Sequence, residues 1–355
     1  MSDFANAIIA WQKQYGRHDL PWQPKHHITA NPYAIWVSEV MLQQTQVAAV
    51  ISYYAKFMQR FPTIAALASA TQEEVLQHWS GLGYYSRARN LHAAAQKIVD
   101  DFDGFFPTQF DNILSLPGIG RSTAAAISTF ALNSPQPILD GNVKRVFSRH
   151  FNITGWTGTP KVALQMWQIA ERENPTEEAV SYTQGLMDLG ATLCSRSKPK
   201  CSRCPINASC AAVAHDLVKH LPTPKPRKVL PEKSTIMLVI VNQNEVLLEK
   251  RPQMGIWAGL WSLPEIAIHE IADEITQSRF GFEVEAEEPF AIIKHAFTHF
   301  KLNITPQPLY VIKQTLQMNQ SNYIWLPIDD AIGAAIPTPV RKILNQLNNN
   351  FKHRP

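Results

Sequence analysis

Cys194, Cys201, Cys204 and Cys210 are the only cysteines in the chain, spaced C-x6-C-x2-C-x5-C within seventeen positions. Four thiolates packed so closely, with no histidine among them, form a metal-ligand set suited to an iron–sulfur cluster or zinc. A structural zinc more usually takes two C-x2-C pairs across a longer finger. A 4Fe–4S cluster is therefore the first expectation, zinc the second and a disulfide pair the third. A different chemistry is written at Glu39, which interrupts the apolar run Ile35-Trp-Val-Ser-Glu-Val-Met-Leu42. A lone Glu on a helix usually faces water, but these neighbours argue against that, and a desolvated carboxyl keeps its proton toward neutrality. Leu116-Pro-Gly-Ile-Gly120 carries a third signal. Gly118 and Gly120 let backbone N–H groups approach a ligand, and such groups at a helix N-terminus bind phosphate; read alone, the turn only connects two helices. Asp140, before Gly141, stands where it would cap a helix carrying Val143, Val146 and Phe147.

The elements that must position these groups fall into two regions. A chain of 355 residues with 45% hydrophobic content is long for one domain. No apolar run approaches a membrane span. The N-terminal stretch reads as an amphipathic helix rather than a leader, so a reducing, cytoplasmic setting is expected, nucleoid-associated if the source is bacterial. Residues 1–230 carry 22 Lys/Arg against 16 Asp/Glu, and residues 231–355 carry 11 against 13. The basic first region is compatible with a polyanionic partner. Four prolines between Leu221 and Pro231 mark an extended linker. Before it the periodicity is helical, with a capping box at Thr71-Gln-Glu-Glu74 and helices expected at 109–116 and 121–131. After it, strands are expected at 235–241 and 245–249, with helices near 266–279 and 339–350.

Taken in order, the LPGIG turn, Leu139-Asp-Gly-Asn-Val-Lys-Arg145 and the cysteine array resemble the helix–hairpin–helix DNA glycosylase superfamily. Within it, SEVMLQQTQV at 38–47 and GLGYYSRARNL at 81–91 resemble the adenine DNA glycosylase (MutY) family, and the likeness runs over nearly the whole chain. The resemblance implies a multidomain fold: an all-α helix–hairpin–helix core with an iron–sulfur cluster subdomain, plus a C-terminal α+β Nudix-like domain. Residues 1–26 and 138–220 would form the cluster subdomain, and 27–137 the six-helix barrel with the hairpin. Residues 221–231 would be the linker and 232–355 an 8-oxoguanine recognition domain. The implied partner is double-stranded DNA with adenine opposite 8-oxoguanine or guanine, bound by a monomer with no protein partner specified.

The same resemblance assigns residues. Glu39 matches the general acid that protonates adenine N7, Asp140 the group that stabilises the sugar cation, and Asn142 its support. Gln44 and Tyr84 match wedge residues, supported by Gln43, and Thr45 and Leu82 lie near the opposite base. Gly118, Gly120, Ser122 and Lys144 match the DNA-backbone contacts; Arg196, Lys198 and Lys200, with Arg203 beyond, would face phosphates from a loop pinned by the 4Fe–4S cluster. Trp22 and Gln184 match the adenine pocket. Phe297, Thr298 and His299 match a Phe-Ser-His loop that senses 8-oxoguanine, with Thr in place of Ser. In the similar endonuclease III a lysine stands where this chain has Ser122, so a monofunctional glycosylase is implied. No R-E-x-x-E-E cluster follows Gly259-Leu-Trp-Ser-Leu-Pro264, and Glu270, Asp273 and Glu274 read as a solvated face, so the last domain is expected to recognise rather than hydrolyse. The alternatives are an endonuclease III-type glycosylase/lyase, a catalytically silent mismatch-binding protein and a Nudix nucleotide hydrolase.

Overall fold

Polar caps cut the first two-thirds of the chain into helices. The Ser2 hydroxyl accepts from Ala5 N–H at 3.1 Å and opens α1 (Asp3–Tyr15). Asn31 Oδ1 accepts from Tyr33 and Ala34 N–H, and with Pro32 in the first turn it starts α2 (Pro32–Leu42). Then come α3 (Val47–Arg60), α4 (Ile64–Ala68), α5 (Gln72–Trp79), α6 (Ser86–Phe102) and α7 (Phe110–Leu114). They are followed by α8 (Arg121–Leu132), α9 (Gly141–His150), α10 (Pro160–Glu173), α11 (Ala179–Thr192) and α12 (Ala211–Ala214). The expected capping box at Thr71 forms its first half, with Glu74 N–H on the Thr71 hydroxyl at 3.2 Å. The helix expected over 109–116 ends earlier, at Leu114, because Leu116 N–H turns back to Ile113 and Pro117 has no N–H to continue the ladder.

The computed structural model describes residues 1–24, 30–226, 229–314 and 322–352, folded as two units. The expected boundary at 26/27 and part of the 221–231 linker lie outside the described residues. The first unit comprises 1–69 and 90–227. One of its cores gathers Phe4 and Ile8 of α1, Phe147 of α9, Met166 of α10, and Leu186 and Leu189 of α11. Each such side chain contributes about 1.5–3 kcal/mol by leaving water. A Cβ at Gly185 would come within 2.7 Å of Ile8 Cγ2, so the glycine sets how closely α11 meets α1.

The second unit comprises 70–89 and 228–355. It holds β1 (Glu232–Asn242), β2 (Glu245–Lys250), β3 (Trp261–Ser262), β4 (Glu265–Ile266), α13 (Ala272–Phe280), β5 (Phe282–Ala286), β6 (Ile293–Ala296), β7 (Lys301–Gln314), β8 (Tyr323–Pro327), α14 (Ile328–Gly333) and α15 (Thr338–Lys352). Among the described residues the strands form one mixed sheet, ordered β3-β2-β1-β7-β5, with β4 on β1, β6 on β7 and β8 on β2. The long β1–β7 pair is parallel and the others are antiparallel. The helix expected near 266–279 starts only at Ala272, because Glu265 and Ile266 pair with Met237 and Ile236, and Glu270 accepts the Ala267 N–H.

Residues 70–89 are tied into this second unit by polar contacts. The Glu73 carboxylate accepts from Lys250 Nζ at 2.9 Å and from the Trp261 indole. Arg341 of α15 donates to the Ser80 hydroxyl at 2.7 Å, and Tyr85 Oη donates to the Ile336 carbonyl at 3.3 Å.

Candidate active site

Glu39 is half-buried on α2 and opens onto a cavity of about 300 Å3 whose walls include Trp22, Ile35, Phe130, Ser181 and Gln184. Trp22 is fixed edge-on to Tyr54, with ring centroids 5.3 Å apart. Trp22, Glu39 and Gln184, which the family resemblance assigns to the adenine, line this one space. Burial, with a further push from the charge of Asp140, raises the Glu39 carboxyl from 4.5 to about 8. It therefore holds its proton at neutral pH.

Asp140 caps α9 by accepting Val143 N–H at 2.7 Å. Burial raises its pKa, while the Val143 and Asn142 N–H groups and the charges of Arg145 and Lys144 pull the other way. Ser122 of α8 accepts the Leu139 N–H at 3.2 Å, so the hairpin helix holds the residue just before Asp140. Asn142 Oδ1 accepts from Arg145, whose guanidinium also donates to the carbonyls of Gly190 and Cys194 at 2.6 and 2.7 Å.

The groups that orient Gln184 come from two distant parts of the chain. Its side-chain N–H donates to Asp188 at 2.9 Å, and Asp188 is buried and also held by the backbone and side chain of Arg17. With its amide nitrogen so engaged, the Gln184 carbonyl is the end left to accept from a ligand in the cavity. The i, i+4 spacing of Gln184 and Asp188 was visible in sequence. Arg17 lies 171 residues away and gave no such signal.

The hairpin turn has Gly118 at φ +78, where a Cβ would also fall 2.7 Å from Asn90 Cβ. Gly120 begins α8 with open space around its Cα, a position where an anion can approach the helix N-terminus. Gln43 at the end of α2 donates to Thr123 of α8 at 3.2 Å. Gln44 is exposed at φ +58, with Thr45 beside it, and Lys144 is half-buried on α9.

All four cysteines line a second, largely apolar cavity with Val146, Leu193 and Ile206. None is paired in a disulfide. Burial and the three neighbouring thiols push Cys204 up to about 11. Arg149, only 4% exposed, donates to Cys194 Sγ at 3.3 Å and to the carbonyls of Ser195 and Leu221, both at 2.8 Å. A thiol-only donor set around one pocket, with a buried cation to offset thiolate charge, fits an iron–sulfur cluster. Arg196, Lys198, Lys200 and Arg203 are exposed around this loop.

The remaining predicted residues belong to the second unit. Tyr84 is 48% exposed at φ +50, whereas Leu82 is buried. Phe297, Thr298 and His299 form the turn between β6 and β7, closed by Phe297 N–H on the Phe300 carbonyl at 2.9 Å. Tyr84, Phe297 and Thr298 line a third cavity, of about 540 Å3, to which Trp257 and His295 contribute walls not foreseen from the sequence. Glu270 lies in the turn before α13, and Asp273 and Glu274 are exposed in its first turn. Among the described residues, no helix is long and apolar enough to cross a membrane.

Comparison with known proteins defines the class. Residues 37–172 match the HhH-GPD superfamily of base excision DNA repair proteins, and residues 235–346 match the NUDIX domain. Among solved structures, a thermostable thymine-DNA glycosylase aligns with 60% of this chain and 95% of its own, at a TM-score of 0.53 and 28% identity. The fold is thus a helical HhH-GPD core followed along the chain by a Nudix-like α+β domain. Among curated proteins, the adenine DNA glycosylase of Buchnera aphidicola (subsp. Acyrthosiphon pisum) is 37% identical over 350 residues, covering 98% of each chain. The adenine DNA glycosylase of Homo sapiens is 31% identical, over 96% of this chain and 73% of the human one. This chain belongs to the adenine DNA glycosylase family and is a DNA N-glycosylase.

Proposed function

We propose that the protein removes adenine mispaired with 8-oxoguanine or guanine in double-stranded DNA, as a monofunctional enzyme acting as a monomer in base excision repair. The observation that carries this reading is the raised carboxyl of Glu39 on the cavity it shares with Trp22 and Gln184. An adenine swung out of the helix would enter that cavity, where the Gln184 carbonyl, oriented through Asp188, can accept from its exocyclic amine. Glu39 donates its proton to N7. The C1′–N9 bond then breaks with its electron pair going to the base, Asp140 steadies the sugar cation, and water adds its oxygen to C1′ while its released proton restores the Glu39 carboxyl. Asn142 and Ser122 hold the Asp140 segment in place.

Ser122 offers no amine, so strand cleavage by a Schiff base is not expected of that position. The DNA backbone is taken up by Gly118, Gly120 and Lys144, and by Arg196, Lys198 and Lys200 on the cysteine loop, where phosphate contacts supply affinity. Cys194, Cys201, Cys204 and Cys210 would hold a 4Fe–4S cluster, which would supply the fixed shape of that loop. Residues 1–26 with 138–220 are read as the cluster-bearing half of the helical core and 27–137 as its hairpin-bearing half, apart from residues 70–89, which group with the second unit. The α1, α9 and α11 side chains that share one core support that pairing. Gln44 and Tyr84 prop the gap left by the base, with Thr45 and Leu82 toward the opposite strand. Phe297, Thr298 and His299, in a domain that recognises without hydrolysing, read the 8-oxoguanine.

The test is a duplex assay with adenine opposite 8-oxoguanine, guanine, cytosine and thymine, read with and without hot alkali. Adenine should be released opposite the first two, with strand breaks appearing only after alkali. Breaks without alkali would favour the glycosylase/lyase reading, and no release at all would favour a silent binder.

A further inference from the structure

Trp257 has no part in the function proposed above, yet its backbone is held where a bulky residue rarely goes. It sits at φ +56, between Gly255 at +95 and Gly259 at +74. Left-handed backbone at a large aromatic residue costs energy, and such strain persists where the surrounding structure fixes it for a purpose. The ring is 9% exposed and lies 5.6 Å from the His295 ring and 5.3 Å from the Phe297 ring, both at tilted angles. His295 in turn meets Phe297 edge-on at 4.6 Å, and Phe297 stacks on Phe300 at 4.6 Å. Burial, with Lys342 nearby, lowers the His295 pKa, so its ring joins this stack uncharged.

The Trp257 turn also reaches the other loop of the same cavity. Arg89 donates to the Ala258 carbonyl at 2.9 Å, three residues beyond the Tyr84–Ser86 segment. Tyr84, Trp257, His295, Phe297 and Thr298 line the one space of about 540 Å3. Trp257 therefore stands behind the β6–β7 turn, on a segment latched to the helix that carries the Tyr84 loop.

We propose that Trp257 is a positioning residue for discrimination at the opposite base: its strained turn props Phe297, and with it Thr298, at a fixed distance from the Tyr84 loop. This rests on reading Phe297-Thr298-His299 as the lesion sensor. Three rings in mutual contact define the tip of a two-stranded hairpin more tightly than the Phe297–Phe300 hydrogen bond alone can. A loosened tip would still bind DNA but would no longer present the Thr298 hydroxyl at one place.

The test is single-turnover adenine release by the full-length protein on duplexes with adenine opposite 8-oxoguanine and opposite guanine. Trp257→Leu should lower the ratio of the two rates about three- to tenfold, the worth of a lost aromatic pair, and Trp257→Phe should restore most of it. A ratio unchanged in Trp257→Leu, or two rates that fall in parallel, overturns the inference, since a merely structural role would move both together. Thr298→Ala is run alongside. If it leaves the ratio unaltered, the sensor reading fails on its own account, whereas an effect of Thr298→Ala without one from Trp257→Leu removes only the role given to Trp257.

Discussion

Glu39 occupies a position unfavourable to a charged carboxylate. Burial raises its pKa to about 8, so the folded protein keeps a proton that the unfolded chain gives up near 4.5. By linkage, the contribution of Glu39 to stability is fully present below about 4.5, is lost as the pH climbs toward 8, and changes little beyond. Glu39→Gln removes that loss. Its melting temperature should exceed that of the native protein by a margin that widens from pH 5 to pH 8. A margin independent of pH would mean that Glu39 is charged throughout. Base release should likewise decline as the pH rises through 8. Asp188 carries a second residue-scale prediction, because it holds the Gln184 amide while paired with Arg17. Asp188→Asn should weaken capture of the extruded adenine and slow release about tenfold, in the range of one charge-assisted hydrogen bond. Unchanged single-turnover rates would show that Gln184 needs no such anchor. The carboxylate at Glu39 was legible in its apolar surroundings. The Asp188–Arg17 pair was not, because only folding brings α11 to the chain just after α1.

Among elements, the hairpin and the cysteine loop were the most legible, since all their determinants lie within a few residues of one another. A Pro-Gly-Ile-Gly turn and four close cysteines need no long-range contact to be recognised. Gly118 is required twice, for its positive φ and for the 2.7 Å that a Cβ would leave to Asn90. Gly118→Ala should destabilise the protein by more than about 1 kcal/mol and weaken DNA binding. Denaturant unfolding and a binding titration would check both, and an Ala variant with native stability would mean the turn can relax. The start of α13 was misplaced because a two-residue strand pairing with β1 claims Glu265 and Ile266, a long-range event that local periodicity cannot register.

At the scale of the molecule, the Pro-rich segment separated a helical region from an α+β one in the sequence, and the family models fall on either side of it. No local pattern in residues 70–89 signals that they fold with the second unit rather than with their neighbours in the chain. Their anchors come from far away: Lys250 and Trp261 on Glu73, Arg341 on Ser80, the Ile336 carbonyl on Tyr85. Removing residues 231–355 should therefore do more than reduce the preference for 8-oxoguanine over guanine. It should also slow release opposite guanine, because the Tyr84 loop loses its supports. Rates on both duplexes for the truncated and full-length proteins would check this, and an unaltered rate opposite guanine would show that the loop holds its shape alone.

In the proposed reaction Glu39 supplies the proton that makes adenine a leaving group. Single-turnover adenine release by Glu39→Gln, set beside equilibrium binding to the same mispaired duplex, decides whether it does. The rate should fall by about 10²–10⁴, the usual worth of a general acid, with the Kd nearly unchanged. A variant that releases adenine within a few-fold of the native rate would contradict it.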